Sequence, residues 1–344
     1  MGQSGITDNE ATENGVIEDG LISVIIPVFN GAATLPGTVR SLQAQTDTHW
    51  EAVIVDDGST DDTGAIAEGL AREDSRIRVV RQKNARQAIA RNYGLTVARG
   101  SLIAFLDADD WWTPAKLADQ RRALADRPAA GFAYSWTDYV DDDNQLLHPG
   151  FHLGPSGPIF LALLANNFIE NGSNPLVRRS LLEAVGGVES QFIPAEDWDM
   201  WLKLAARCVA IAVPKAQVRY RVSASSSSAS LRRLEDACVQ VLERHIKTAP
   251  PPFAAAAQKL KRPAKARFYK GLACKALTAG SPNRWRGINS ARLLGLAIVN
   301  QPRLLVELKF LAVMAVKIAL ILVLSVDGME RSRQWFKQFK SSKP

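Results

Sequence analysis

Cysteine and histidine are scarce in this chain, and no long apolar run is free of charge. The three cysteines among 344 residues, Cys208, Cys238 and Cys274, are odd in number and widely spaced, with no C-x-x-C or zinc spacing. They predict free thiols in a reducing compartment rather than a disulfide framework. Two of the four histidines, His148 and His152, stand four apart, but Pro149-Gly150 breaks the helix that a metal pair at that spacing requires. The dinucleotide signature G-x-G-x-x-G is missing after the first apolar run, where "NGAATLPG" stands, and no Walker A sequence occurs. The first 20 residues are polar and acidic without an apolar signal core, which predicts a disordered tail over 1–20 and no secretory signal.

Charge is unevenly shared. The net charge is +7, yet residues 1–230 carry 20 Lys+Arg against 29 Asp+Glu, net −9, and residues 231–344 carry 22 against 6, net +16. Two regions of opposite sign predict different partners, with phosphate-rich material facing the basic one. Charge alone leaves nucleic acid and an anionic membrane open. No recognised nucleic-acid motif accompanies it, so nucleic acid is not expected as a partner.

What is present is a strand–helix alternation. "LISVIIPVF" (21–29), "EAVIVDD" (51–57), "IRVVRQ" (77–82) and "SLIAFLDAD" (101–109) read as strands, with helices expected near 34–45, 61–73 and 85–98. This pattern predicts an α/β class of Rossmann-like architecture, a mostly parallel sheet with helices on both faces. In such sheets ligands bind at the carboxyl ends of the strands, where Asn30, Asp56-Asp57 and Asp107 to Asp109 fall.

Aspartates in the pattern D-x-D-D (107–110) supply hard oxygen ligands suited to Mg²⁺ or Mn²⁺, with substrate phosphates completing the coordination. Asp57 is placed to accept donors from a base or ribose. Asp61 and Asp62 are read as helix caps. In "FIPAEDWDMWLKLA" (192–205), Trp198, Trp201, Leu202 and Ala205 form a buried helical stripe. Glu196 and Asp197 sit in the first turn, either as dipole partners or with one of them a general base for an acceptor hydroxyl.

"ISVIIPVFNGAATLPGTVRSLQAQTDTHWEAVIVDDGSTDDT", "ARNYGLTVARGSLIAFLDADDWWTPAKL" and "GGVESQFIPAEDWDMWLKLA" together resemble the family 2 glycosyltransferases of GT-A fold, over residues 21 to 221. The resemblance implies inverting transfer of one sugar from a nucleotide diphosphate donor to a hydroxyl. It implies a nucleotide pocket lined by Pro27, Val28 and Phe29 with Asn30 beside them, Asp57 on the base, and Asp107 and Asp109 as the D-x-D motif with Asp109 the direct metal ligand. Asp197 matches the catalytic base, beside Glu196. Arg91 is read either as a diphosphate contact or as a structural ion pair. Trp111, Trp112 and Trp198 are candidate sugar or acceptor contacts, with core packing as the competing reading. The chain departs from the family where a Gly-rich turn often precedes "ARN": here Ala85, Arg86 and Gln87 stand. The Q-x-x-R-W motif of processive synthases is absent, so single-sugar addition is expected.

Residues 21–230 thus read as the catalytic domain, with "SASSSSAS" (223–230) ending it. Residues 231–344 read as a basic helical region, with helices over 231–247, 253–279 and 287–300. The segment 304–324 has the length to cross a bilayer, but Glu307 and Lys309 with Lys317 interrupt it and share one arc with Arg303. With "ERSRQWFKQFKSSKP" following, it predicts an amphipathic helix on an anionic membrane, at the cytoplasmic face of the plasma membrane, with a membrane span and a helix packed on protein as the competing readings. That location suits a saccharide or lipid-linked oligosaccharide acceptor in surface polysaccharide assembly, with UDP-glucose the default donor from family habit. The alternatives are a sugar-nucleotide nucleotidyltransferase, or an inactive scaffold of an assembly complex.

Overall fold

The computed structural model describes residues 18–222, 230–278 and 284–323. Its hub is strand β1 (Glu18–Val28), whose residues 22–28 are buried because both neighbours run parallel to it: β2 (Trp50–Asp56) on one side and β4 (Gly100–Phe105) on the other. The β1 side chains divide by parity. Ile22, Val24, Ile26 and Val28 pack with Leu35, Val39 and Leu42 of α1 (Leu35–Gln43) and Ala67 of α2 (Thr63–Glu73). Ile25 packs on the opposite face, under α3 (Gln87–Val97), whose Gly94 is required there, since a Cβ would stand 2.4 Å from Ile25 Cγ2. Helices therefore cover both faces, as a buried parallel sheet needs.

β3 (Ile77–Arg81) closes the parallel half at the edge beside β2, and beyond β4 the sheet becomes mixed. Its order is β3-β2-β1-β4-β8-β6-β9-β5, with β5 (Trp111–Trp112), β6 (Ala130–Val140), β8 (Leu176–Arg178) and β9 (Val209–Arg221), and with β7 (Leu146–Pro149) hairpinned onto β6. The pairs β4–β8, β8–β6 and β9–β5 are antiparallel, whereas β6 and β9 are parallel. The fourth strand stops at Phe105, before the aspartates expected within it. Leu106 still donates to Ile25 O at 3.0 Å, and the chain then folds into a turn closed by Asp110 N to Asp107 O at 3.0 Å. Between the strands lie α4 (Lys116–Ala125), α5 (Phe160–Ala165), α6 (Arg179–Ala184) and α7 (Glu196–Ala205).

Four further helices follow: α8 (Leu231–Lys247), α9 (Pro251–Thr278), α10 (Arg284–Asn300) and α11 (Leu308–Val323). Residues Cys238, Val241, Leu242, Ala257 and Ala264 join the same core cluster as Ile25 and Trp201, so the apolar core crosses the compositional boundary at residue 230. Polar contacts reinforce the join: Asp199 on α7 meets His245 Nε2 at 2.8 Å, and Arg244 forks onto Glu189 at 2.6 and 2.8 Å. The expected single helix over 304–324 is instead a 3-10 turn (Pro302–Val306) and then α11, broken at Glu307, whose carboxylate reaches across to Lys270 of α9 at 2.5 Å. Among the described residues no helix is long and apolar enough to cross a membrane. The tail over 1–17, the serine run 223–229 and the basic-aromatic segment after 323 lie outside the described residues.

Candidate active site

The site starts at the end of β2. Asp57 is buried, and its Oδ1 accepts from Gln82 Nε2 (2.7 Å) and Ala85 N (2.8 Å) while Oδ2 accepts from Arg86 N (2.9 Å). The carboxylate thus organises the loop after β3, and Oδ2 retains capacity for one more donor. The next residue must be glycine: Gly58 has φ +75°, and a Cβ there would meet Asn84 N at 2.9 Å. On the neighbouring strand end, Pro27 and Val28 are buried, Phe29 is half exposed, and Asn30 turns with φ 51° to accept Thr60 N at 2.8 Å.

The departure at 85–87 is built into this loop. Arg86 adopts φ 75°, ψ 160°, a conformation ordinarily left to glycine, so the backbone path of a Gly turn is kept with a non-glycine residue. Gln87 then opens α3 and donates to Asp107 Oδ1 at 2.7 Å. One turn on, Arg91 is 2% exposed and joins two motifs far apart in sequence: Nη2 donates to Asp107 Oδ1 at 2.7 Å, Nη1 to Glu196 Oε1 at 3.0 Å. Burial opposes its charge, but Asp107 and Glu196 hold its pKa above the ordinary arginine value. Gly172 makes room for this, since a Cβ there would lie 2.6 Å from Arg91 Nη2.

Three aspartates of the turn divide their work. Asp110 is buried and structural, accepting Ser173 Oγ at 2.6 Å and Arg221 N at 3.1 Å, with burial, Asp109 and Asp107 raising its pKa. Asp109 is pushed up to about 6 by burial and then by the Asp107 charge. Arg91 pairs with Asp107 and Arg221 draws Asp109 down in part, yet burial and the like charge keep Asp109 raised, a condition a further cation relieves. Among the described residues no cluster of three or more His, Cys, Asp or Glu makes a self-contained metal site. Two carboxylates with the remaining ligands left to phosphate and water is the usual protein share for Mg²⁺. The donor set fits a hard divalent ion.

On α7, Glu196 is buried with Oε2 unpartnered among the described residues, and burial raises its pKa against the pull of Arg91. Asp197 opens onto a cleft of about 190 Å³ and is pushed up to about 7 by burial and by Glu196. Arg91, Asp107, Glu196, Asp197 and Trp198 all line this cleft. Pro27, Val28, Phe29, Asn30, Asp57 and Asp109 lie outside its lining, at the strand ends beside it.

The tryptophans are mostly committed to packing. Trp112 is buried, donates Nε1 to Ser173 O at 2.8 Å and carries Lys116 Nζ 3.8 Å over its ring, leaving no open face for a sugar. Trp111 packs against Gly37 of α1 and under Arg221, away from the cleft. Trp198 is buried, donates Nε1 to Leu163 O at 3.1 Å and contributes to the cleft wall.

Sequence reasoning missed Tyr139, Glu170, Tyr220 and Lys275, which complete the cleft. Glu170 is in positive φ (77°), accepts Tyr139 Oη at 3.1 Å and Phe151 N at 3.2 Å, and is pushed up to about 7 by burial. They come from β6, β9, α9 and an irregular loop, with no motif spacing among them.

The glycosyl transferase family 2 model matches residues 23–186. The chain is 42% identical over 120 residues to the putative teichuronic acid biosynthesis glycosyltransferase TuaG of Bacillus subtilis (strain 168), covering 35% of this chain and 46% of that one. It is 32% identical over 212 residues to the UDP-Glc:alpha-D-GlcNAc-diphosphoundecaprenol beta-1,3-glucosyltransferase WfaP of Escherichia coli, covering 61% and 80%. The mannosyltransferase PcManGT from Pyrobaculum calidifontis, solved with GDP-Man and Mn²⁺, superposes with a TM-score of 0.54 at 22% identity over 88% of this chain and 86% of that one. At that identity the likeness is one of fold.

Proposed function

The chain belongs to glycosyl transferase family 2 and has its GT-A fold, and on that premise we propose that it transfers one sugar from a nucleotide diphosphate donor to a saccharide or lipid-linked hydroxyl with inversion. The observation that carries this reading is the Arg91 bridge between Asp107 and Glu196, which sets Asp197 on the wall of the same cleft as Asp107. Donor and acceptor ends of the reaction meet there.

In the proposed reaction the nucleotide lies along the ends of β1 and β2, with Phe29 and Asn30 at its side and Asp57 accepting a donor from the base. Arg91 keeps the Asp107 carboxylate oriented. Asp197 takes the proton from the acceptor hydroxyl as its oxygen attacks the anomeric carbon. The bond from that carbon to the diphosphate oxygen breaks on the opposite face, so an α-linked donor yields a β-linked product. A carboxyl with a pKa near the operating pH is suited to this proton transfer. When bound, a divalent ion held by Asp109 and Asp107 would supply positive charge to the leaving diphosphate.

The acceptor and place follow by relation. WfaP acts on a diphosphoundecaprenol-linked sugar and TuaG is named for teichuronic acid, which supports a role in surface polysaccharide assembly at the cytoplasmic membrane face, with a UDP-sugar as donor. The exposed apolar residues Leu308, Val313, Val316, Leu320 and Val323 of α11, flanked by Lys309 and Lys317, support contact with an anionic membrane surface. In the proposed division, residues 21–230 carry catalysis and 231–344 the membrane and acceptor contacts. Release of nucleoside diphosphate from a panel of nucleotide sugars, with and without Mn²⁺ and acceptor, tests the reading. Acceptor-dependent release that Asp197→Asn abolishes supports it. Consumption of a nucleoside triphosphate with a sugar phosphate instead would identify a nucleotidyltransferase.

A further inference from the structure

Beside the cleft lies a second, larger cavity of about 620 Å³, walled chiefly by α9 and by the residues leading into α11. Asn167, Trp198, Leu234, Cys238 and Lys275 belong to the walls of both, so the two spaces are separated by no more than one layer of side chains. The volume is that of a small-molecule site rather than a packing defect. Its lining is mainly apolar, with Leu164, Phe268, Leu272 and Leu304, and its charged groups are three cations, Arg267, Lys270 and Lys275, and one carboxylate, Glu307.

The cations are arranged along one helix face. Arg267, Gly271 and Lys275 follow one another at i, i+4 and i+8 on α9, the spacing that stacks side chains in a row. Between the two charged residues the row has a gap, since a Cβ at Gly271 meets nothing within 4 Å. Lys270, on the same helix, pairs with Glu307. Leu304 is buried in the cavity wall, while Leu305, Val306 and Leu308 after it are 54%, 79% and 72% exposed. A molecule in this space has within reach the cleft with Asp197, two cations across an open notch, an apolar wall, and, following Leu304, an apolar outer surface. A free saccharide has no use for the last two, and a fatty chain alone none for the cations.

Resting on the glycosyltransferase reading above, we propose that this cavity holds the acceptor as a lipid diphosphate. The diphosphate lies over Gly271 between Arg267 and Lys275, the saccharide enters the Asp197 cleft, and the isoprenoid-like tail leaves past Leu304 toward the α11 surface.

The test uses the full chain and direct binding, with farnesyl diphosphate as probe and farnesol and inorganic diphosphate as half-probes. Titrations are run on wild type, Gly271→Phe and Arg267→Met, with the melting profile of each variant recorded. The expected result is farnesyl diphosphate binding at least tenfold tighter than either half-probe. Gly271→Phe should weaken it at least tenfold by filling the notch, and Arg267→Met by roughly the same factor. Absence of wild-type binding overturns the proposal, as does equal affinity in all three proteins or equal affinity for inorganic diphosphate alone. Nucleotide-sugar binding is measured on the same samples. If it occurs while farnesyl diphosphate fails, the cavity assignment falls and the transferase reading stands. If no nucleotide sugar binds but farnesyl diphosphate does, the reverse holds.

Discussion

Arg91 Nη2 stands 2.7 Å from Asp107 Oδ1, and the same guanidinium reaches Glu196 Oε1 at 3.0 Å. Two carboxylates supplied 89 residues apart in sequence therefore depend on one buried cation. Removing that cation leaves both without their charge partner, which costs about 3–5 kcal/mol when a buried pair is broken. Arg91→Ala is expected to unfold at markedly lower denaturant, read by urea titration. Arg91→Lys should recover part of the stability but not donor affinity, because the ammonium is a point charge without the rigid planar fork that sets Asp107 and Glu196 at fixed positions. Equal donor affinity in Arg91→Lys and wild type would sink the positioning role.

Arg86 in positive φ predicts a trade between stability and donor contact. Strain at a non-glycine residue there is on the order of 1–3 kcal/mol, and glycine returns roughly 0.5–1 kcal/mol of it through its freer unfolded chain. Arg86→Gly is therefore expected to melt at or above the wild-type temperature. If the exposed guanidinium of Arg86 meets the donor, the same variant raises the KM for nucleotide sugar several-fold. A stable variant with unchanged KM would make the arginine a tolerated departure and nothing more.

The parallel half of the sheet was legible because β1, β2 and β4 are apolar on both faces, and that pattern has few other readings. The acidic strand ends were legible for the complementary reason, since charge following a buried run requires an explanation. The boundary at Phe105 was not, because apolar content continues through Leu106 while the backbone has already begun its turn. Trp112 has both a sugar-contact and a core-packing reading in the sequence, because aromatic character does not tell a core ring from a stacking one. Its commitment depends on Ser173 O and Lys116 Nζ, contacts that exist only after folding. For Arg91 the sequence offers a diphosphate contact or an ion pair, and the structure shows ion pairs with Asp107 and Glu196. Tyr139, Glu170 and Lys275 carried no signal at all, being gathered by the antiparallel half and α9 rather than by spacing.

Metal removal separates Asp109 from Asp110. Asp110 is buried and accepts from Ser173 and Arg221, one bond on each oxygen, whereas Asp109 is raised to about 6 by burial and an adjacent like charge. Chelation is expected to weaken nucleotide-sugar binding at least tenfold, and added Mn²⁺ to restore it, as followed by calorimetry. Asp109→Ala should bind weakly at every Mn²⁺ concentration while melting near wild type. Asp110→Ala should lower the melting temperature instead, because a buried hydroxyl and a backbone amide lose their acceptor. Full Mn²⁺ rescue of Asp109→Ala would remove that residue from the ion's ligand set.

Asp197 ties activity and stability to the same proton. Its carboxyl is raised from 3.8 to about 7, first by burial and then by Glu196. As the base it must be ionised, so kcat should climb with pH to a plateau above about 7, and Asp197→Asn should lower it by about 10²–10⁴ and remove that limb. Stability runs the other way. Between pH 4 and 7 the folded chain keeps a proton here that the unfolded chain has released, so stability falls as pH rises across that window and the loss is complete above it. Asparagine has no charge to bury. Asp197→Asn should therefore melt above wild type at pH 8, with the gap closing toward pH 4. A variant that loses turnover with the same melting difference at both pH values would show that Asp197 is ionised without penalty, and its assignment as a base poised near neutrality would fail.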